Sequence, residues 1–311
     1  MNEPVAEHKE ILRAASKALA EFAGRTLGVL EVSRPTDVDY AVHLSKVVSK
    51  LSPIIGNMIE YDTVLLLNER TKRSDGKWVR QDPGFPDTIF QGTVKPVPGF
   101  EIKTWFPLAT EITARFKESV AHFQQEQTNV AVLAWVPEFL IFGRPKILDV
   151  WIDTAGSVAR ARDDHYHNPP DYLVFEPEDT SKRTRNLRQT NTSGYKFQGT
   201  AAEFSNARKI VDGWGPSGRK FSHQPAYQTK LRKLIGRFRY RLDTNFAKMD
   251  RIGHTTLEQF KRKILSSSIN HHTVNRWAQV LNSPDSRDNR MLLRGLIEAN
   301  TNGNESDCQG P

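Results

Sequence analysis

The run NVAVLAWVP, residues 129–137, constrains the fold more than any other stretch of this chain. It is short and almost wholly apolar, which reads as a strand in the middle of a sheet. Such a strand needs a neighbour on each side and cover on both faces. The surrounding sequence offers both. DTIFQGTV (87–94) and GFEIKTW (99–105) are β-type runs separated by Pro and Gly, which predicts a hairpin. Leu108, Ile112, Phe116, Val120 and Phe123 then recur at helical period, predicting a helix over 108–123. KILDVWID (146–153) reads as a further strand, TAGSVARARDD as a short helix behind it, and DYLVFEP (171–177) as another strand. The middle of the chain is thus expected to be a mixed α/β (α+β) core of about five strands, with a helix packed between the second and third.

The flanks differ in texture. Residues 5–24 carry Ile11, Leu12, Ala15, Leu19 and Phe22 at helical spacing. Residues 38–68 read as one or two more helices, with Pro53 and Gly56 as break or kink points. LNERTKRSDGKWVRQDPGFP (67–86) is polar and turn-rich, and is expected to be a loop or an exposed hairpin. TSKRTRNLRQTNTSGYKFQG (180–199) has no acid and few aliphatics, and reads as a long polar loop or irregular hairpin. Residues 199–298 look mainly helical. The expected division is 1–179 for N-terminal helices and core, 180–298 for a basic helical region, and 299–311 for a disordered tail.

Two properties narrow the function classes. No run of 18 apolar residues exists, so no membrane helix is expected, and the N-terminus lacks the apolar centre of a secretory signal. The single cysteine, Cys308, allows neither an intrachain disulfide nor a Cys-based zinc site. The net charge of +8 is concentrated: residues 201–250 hold eleven Lys and Arg against four Asp and Glu. A basic segment on a near-neutral body reads either as a polyanion contact or as a solvated helix face.

The stretch GFPDTIFQGTVKPVPGFEIKTW (84–105) raises a sharper question. Glu101 and Lys103 are two apart on a predicted strand and so share a face, among Phe100, Ile102 and Trp105. Asp87 lies on the preceding strand. Charges in such surroundings either neutralise one another as a local ion pair or hold a metal for chemistry. Phosphodiester hydrolysis needs an attacking water and a stabiliser for charge on phosphorus, and a divalent cation on hard oxygen ligands supplies much of both. Two carboxylates on neighbouring strands with a lysine beside them meet that need.

Pro86-Asp87 followed by Glu101-Ile102-Lys103 resembles the motif of the PD-(D/E)XK nuclease superfamily. Its core is a helix, a three-strand antiparallel meander, a helix, and a further strand beside the sheet, and residues 40–175 follow that order. Glu7-His8-Lys9 is a second Glu-x-Lys, and Pro-Asp recurs at 170–171 and 284–285, but only Asp87 combines motif, spacing, strand context and the helix and strand that follow. The resemblance implies a restriction-endonuclease-like core of a mixed sheet flanked by helices, with a mainly helical C-terminal region. It implies Mg²⁺ on Asp87 and Glu101, with the Ile102 carbonyl, and Lys103 acting on the nucleophilic water. Many members add an acid from the helix before the sheet; Glu60 is the candidate here, with Asp62 as substitute, while Glu111 reads as structural. Within the superfamily the length and the added basic region point to a type II restriction endonuclease. Double-stranded DNA, a second copy of the chain, a cognate DNA methyltransferase and the bacterial cytoplasm follow as its expected partners and location. A repair or recombination nuclease of the same superfamily, and a non-catalytic DNA-binding protein, stay open as alternatives.

On the DNA-reading side, Lys182, Arg183, Arg185, Arg188, Gln189 and Asn191 have the chemistry that reads guanine and adenine edges in the major groove. KLRKLIGRFRYR (230–241), with Lys230, Arg232, Lys233 and Arg237, reads as a helix with a core face and a phosphate-binding basic face. TLEQFKRKILSSSINHHTVNRW (256–277) faintly resembles a helix-turn-helix, although Val274, Trp277 and Val280 could equally be core. Asp163-Asp164-His165-Tyr166-His167 reads as a surface loop and not as a metal site.

Overall fold

A computed structural model of the chain describes residues 6–82, 84–109, 112, 120–167, 173–174, 194–197, 199–218, 224–243 and 252–299. Helices α1 (Glu7–Ala20), α2 (Val38–Val47) and α3 (Ser52–Arg70) come first. Five strands follow: β1 (Gly76–Arg80), β2 (Thr88–Gly92), β3 (Gly99–Trp105), β4 (Thr128–Pro137) and β5 (Pro145–Thr154). They form one mixed sheet in the order β1-β2-β3-β4-β5, antiparallel throughout except for the parallel pair β3–β4. Helices flank this sheet, so the architecture is mixed α/β of the α+β kind.

The sheet is built as its sequence dictates. NVAVLAWVP is the buried strand β4, with Val130 through Val136 all but inaccessible. Parallel pairing with β3 requires a crossover between Trp105 and Thr128. Most of the helix expected over 108–123 lies outside the described residues; the rest includes a 3-10 turn at Val120–Phe123 and buried Leu108, Ile112 and Phe123. Pro53 does not break a helix but opens α3, where its missing N–H has no partner to lose. Gly56 does not kink α3 either. It permits contact with β3, because a Cβ there would lie 2.9 Å from Thr104 Oγ1.

Two strands differ from expectation. β1 falls inside the segment read as a loop or an exposed hairpin, and it pairs antiparallel with β2 as part of the main sheet. It is an edge strand with one fully buried side chain, Trp78, among polar neighbours, and edge strands carry little hydrophobic signal. The described part of DYLVFEP, β6 (Leu173–Val174), pairs with β7 (Gly194–Phe197) and not with the main sheet. The run Asp163–His167, read as a surface loop, continues helix α4 (Ala155–His167).

The chain divides into two compact units. One comprises residues 1–112, 121–158 and 254–311, and the other 113–120 and 159–253. The division therefore does not fall at residue 179. In the second unit, β8 (Tyr240–Asp243) extends the sheet to β6-β7-β8, beside α5 (Ala201–Asp212) and α6 (Pro225–Arg237). Its core is Phe197, Ala207, Val211, Leu231 and Leu234. α6 is shorter than the helix expected over this region, because at Phe238 the pattern changes to alternating aromatic and basic residues, the period of a strand.

In the first unit, α7 (Thr255–Ser266), the small hairpin β9 (Ser268–Ile269) and β10 (His272–Thr273), α8 (Val274–Asn282) and α9 (Arg287–Ala299) complete the packing. Val274, Trp277 and Val280 are buried, and Trp277 Nε1 donates to the Ile269 carbonyl at 2.7 Å. This face of α8 is core and not a reading surface.

Ile59 lies fully buried on the face of α3 that meets the sheet. Ile59→Ala should destabilise the fold by about 2–5 kcal/mol, the usual cost of a large-to-small core change, measured by urea unfolding.

Candidate active site

The geometry around Asp87 begins with a ladder that stops early. β2 and β3 pair only at Thr88–Phe100 and Ile89–Gly99. Residue 102 lies in the phase of β3 whose N–H and C=O point toward β2, where β2 has already ended. Asp87 takes over, and its Oδ2 accepts the Ile102 N–H at 2.7 Å. Gln81 fixes the approach to Asp87: its N–H donates to the Asp87 carbonyl at 2.8 Å, and its Nε2 donates to the Pro86 carbonyl at 3.0 Å. Gly99 lets Pro86 close on β3, since a Cβ there would lie 2.4 Å from Pro86 Cγ.

The pleat of β3 then sorts its side chains. Phe100, Ile102 and Thr104 share one face, with Phe100 against Trp78 and Thr104 against α3. Glu101, Lys103 and Trp105 share the other, with Trp105 against Phe260 of α7. Glu101 is only 9% exposed. Lys103 Nζ lies 2.5 Å from Glu101 Oε1 and 3.6 Å from Asp87 Oδ2, so the ammonium sits between the two carboxylates. The second oxygen of Glu101, Oε2, is buried without a hydrogen-bond partner.

Titration behaviour follows from this packing. Burial pushes the Glu101 carboxyl above its ordinary value; Lys103 opposes the shift and Asp87 adds to it. Burial works to lower Lys103, but Glu101 and Asp87 outweigh it and hold the ammonium above the ordinary lysine value. Glu60, one turn beyond Gly56 on α3, is also raised. Burial is the main cause and Asp87 the second, with Arg80 and Lys103 opposing. Glu60 therefore belongs electrostatically to the group formed by Asp87, Glu101 and Lys103. Asp62 is raised by burial alone, with no contribution from those residues, so it is no substitute for Glu60 here.

Arg80 and Gln81 were missed by the sequence reading because both lie in the segment taken for a loop or an exposed hairpin. Arg80 Nη2 reaches Glu60 Oε2 at 3.1 Å, Asn57 Oδ1 at 2.8 Å and Asp82 Oδ2 at 3.0 Å. The signal that could have found them is Trp78-Val79, a β-favouring apolar pair inside an otherwise polar segment.

The remaining expected residues divide in two. Lys182, Arg183, Arg185, Arg188, Gln189 and Asn191, like Glu111, lie outside the described residues. Lys230, Arg232, Lys233 and Arg237 are exposed on α6, off its buried Leu231 and Leu234 face. They belong to the second unit and not to the unit that holds Lys103. Among the described residues, no group of three or more His, Cys, Asp or Glu side chains forms a ready-made metal cage, and no helix is long and apolar enough to cross a membrane. Comparison with known protein families, curated proteins and solved structures finds no match to this chain.

Asp62 is half-buried, and its carboxyl is raised above 3.8. Its folded form therefore holds a proton more tightly than the unfolded chain, and its burial costs stability once the pH rises through the folded-state value. Asp62→Asn should raise the melting temperature at neutral pH. The gain should disappear as the pH falls below 3.8, where Asp62 is protonated in both states. Thermal melts of both proteins across pH 3–8 check this.

Proposed function

We propose that the chain is a type II restriction endonuclease, a Mg²⁺-dependent enzyme that hydrolyses double-stranded DNA at a short site and leaves 5′-phosphate and 3′-hydroxyl ends. One observation carries the reading: Asp87, Glu101 and Lys103 converge at the point where β2 ends beside β3, with a buried oxygen of Glu101 left unpartnered. The order of elements supports it. A helix, a three-strand antiparallel meander and a strand parallel to the third agree with the core that the motif implies.

The donor set suits Mg²⁺. The cation prefers hard oxygen ligands and usually keeps several waters, so one or two carboxylates are enough and a full protein cage is not needed. Asp87 and Glu101 would hold it, the unpartnered Glu101 Oε2 being the oxygen free to do so. The Ile102 carbonyl belongs to the same strand edge as the N–H that Asp87 accepts. Bound there, Mg²⁺ supplies positive charge to the phosphoryl oxygens and lowers the pKa of a coordinated water.

The protein's own groups do the rest. Lys103 is held as an ammonium, so its part is to donate hydrogen bonds, orienting the attacking water and stabilising charge that develops on phosphorus. Glu60, whose raised pKa leaves it more readily protonated than an ordinary glutamate, is placed to receive a proton near Asp87. Arg80 holds Glu60 in place. The exposed cations of α6 suit phosphate contacts. A palindromic site favours a two-fold homodimer, and a host that cuts DNA needs a methyltransferase to protect its own.

A second reading, a non-catalytic DNA-binding protein, is favoured by the short contact between Lys103 and Glu101, which an ion pair alone explains. The charge balance argues against it. Asp87, Glu101 and Glu60 bring three carboxylates to Lys103 and Arg80, Asp82 adds a fourth on Arg80, and Glu101 Oε2 is still left buried without a partner, which a settled ion pair does not leave.

Incubation with phage DNA and Mg²⁺ should give discrete fragments. Asp87→Asn and Lys103→Ala should each slow cleavage on the order of 10²–10³-fold or more, with circular dichroism and DNA binding little changed. A smear, or cutting confined to mismatched or branched DNA, would move the assignment to a repair nuclease. Binding without turnover across Mg²⁺ and Mn²⁺ would sink the nuclease reading.

A further inference from the structure

A second basic surface lies on the same compact unit as Lys103. Helix α9 carries Arg287, Arg290 and Arg294 at i, i+3 and i+7, on one face. With Val38 of α2, Asp285 and Met291 they line an open groove of about 370 Å³. The acids near this groove are already engaged: Asp285 pairs with Lys46 at 2.8 Å, and Asp39 of α2 pairs with Arg290. Arg287 and Arg294 are exposed and have no ion-pair or hydrogen-bond partner among the described residues. Asp288 and Glu298, although on the same helix, do not line the groove. Met291, between the arginines, is 65% exposed.

Packing alone does not account for this arrangement. Like charges three and four apart repel, and Arg287 and Arg290 stand near the positive end of the helix dipole. Arginines scattered for solubility would alternate with acids. The spacing points to a polymer and not to a single anion. From Arg287 to Arg294 the helix rises about 10 Å, and one DNA strand presents a phosphate roughly every 3.4 Å of axis. Such a row is longer than the spacing between neighbouring phosphates of one strand, so it can meet more than one of them, which a compact anion could not match.

We infer that the groove between α2 and α9 binds the sugar–phosphate backbone of double-stranded DNA, with Arg287 and Arg294 on phosphates and Met291 against a sugar. The choice of polymer rests on the nuclease reading. The charge argument does not.

The test uses the full chain in EDTA, a fluorescein-labelled duplex of arbitrary sequence, and a series of salt concentrations. Replacing Arg287 and Arg294 together by alanine should weaken binding about tenfold or more and reduce the slope of log affinity against log salt by about two. The melting temperature should stay unchanged, and the double lysine variant should keep the slope. An unchanged slope in the alanine variant overturns the inference. So does a wild-type chain that binds no duplex DNA, or an effect seen with duplex RNA alone. A chain whose binding shows the arginine-dependent slope but which never cuts with Mg²⁺ removes the nuclease reading and leaves the groove. One that cuts while its salt slope ignores both arginines does the reverse.

Discussion

The parallel ladder between β3 and β4 is the constraint on which the rest depends. It runs from Gly99 opposite Thr128 to Trp105 opposite Ala134. Parallel strands cannot be joined by a tight turn, so the chain must leave the sheet and return, and both strands end up covered on both faces. Glu101 and Lys103 are thereby held beside Val130 and Val132, which offer them no polar partner. Their charges settle with each other, with Glu60 of α3 and with what the β2 side supplies. That side supplies Asp87, because the register would set residue 86 opposite Ile102 and β2 starts only at Thr88.

This arrangement is costly, and the cost is informative. A carboxylate in poor solvent keeps its charge only beside a cation, and Lys103 must serve two carboxylates at once. Glu101 stays raised despite a contact of 2.5 Å, and Glu60 stays raised despite Arg80. A core selected for stability alone would replace such charges with packed apolar groups. Excess negative charge held on a rigid strand is a store of affinity for a cation, and that links the sheet topology to the chemistry proposed for it.

Legibility in the sequence followed the strength of the local pattern. Strand β4 stood out because burial on both faces writes a near-continuous apolar run, and β3 and β5 because large apolar residues, among them Phe100, Ile102, Trp105, Ile147 and Trp151, recur between polar ones. Asp87, Glu101 and Lys103 stood out because charged residues beside such apolar neighbours are anomalous. β1 did not stand out, since Trp78 alone carries its burial, and Arg80 and Gln81 were lost with it. The sequence names Glu60 as the candidate with Asp62 as substitute, since they lie two residues apart on one helix. Only the rotation of α3, set by the close approach of Gly56 to Thr104, turns Glu60 toward Asp87 and leaves Asp62 out. The C-terminal helices were recognised as helices but assigned to the basic region. What places them with the sheet is tertiary contact, such as Trp105 with Phe260 and the Trp151 N–H to Thr256 Oγ1, which no local pattern reveals.

The division into two units bears on the function proposed above. The acidic site and the arginines of α9 share one unit, while the exposed cations of α6 belong to another with its own core around Phe197 and Leu231. Changes at distant sites with no shared partners usually add in their effect on stability. Exposed basic residues on α6 lie off its buried Leu231 and Leu234 face, whereas Glu101 and Lys103 sit on a strand paired along its length with β4. A nuclease that must keep one chemistry while meeting different DNA sequences needs that asymmetry, with a fixed charge geometry on a buried strand and adaptable contacts on a surface supported elsewhere.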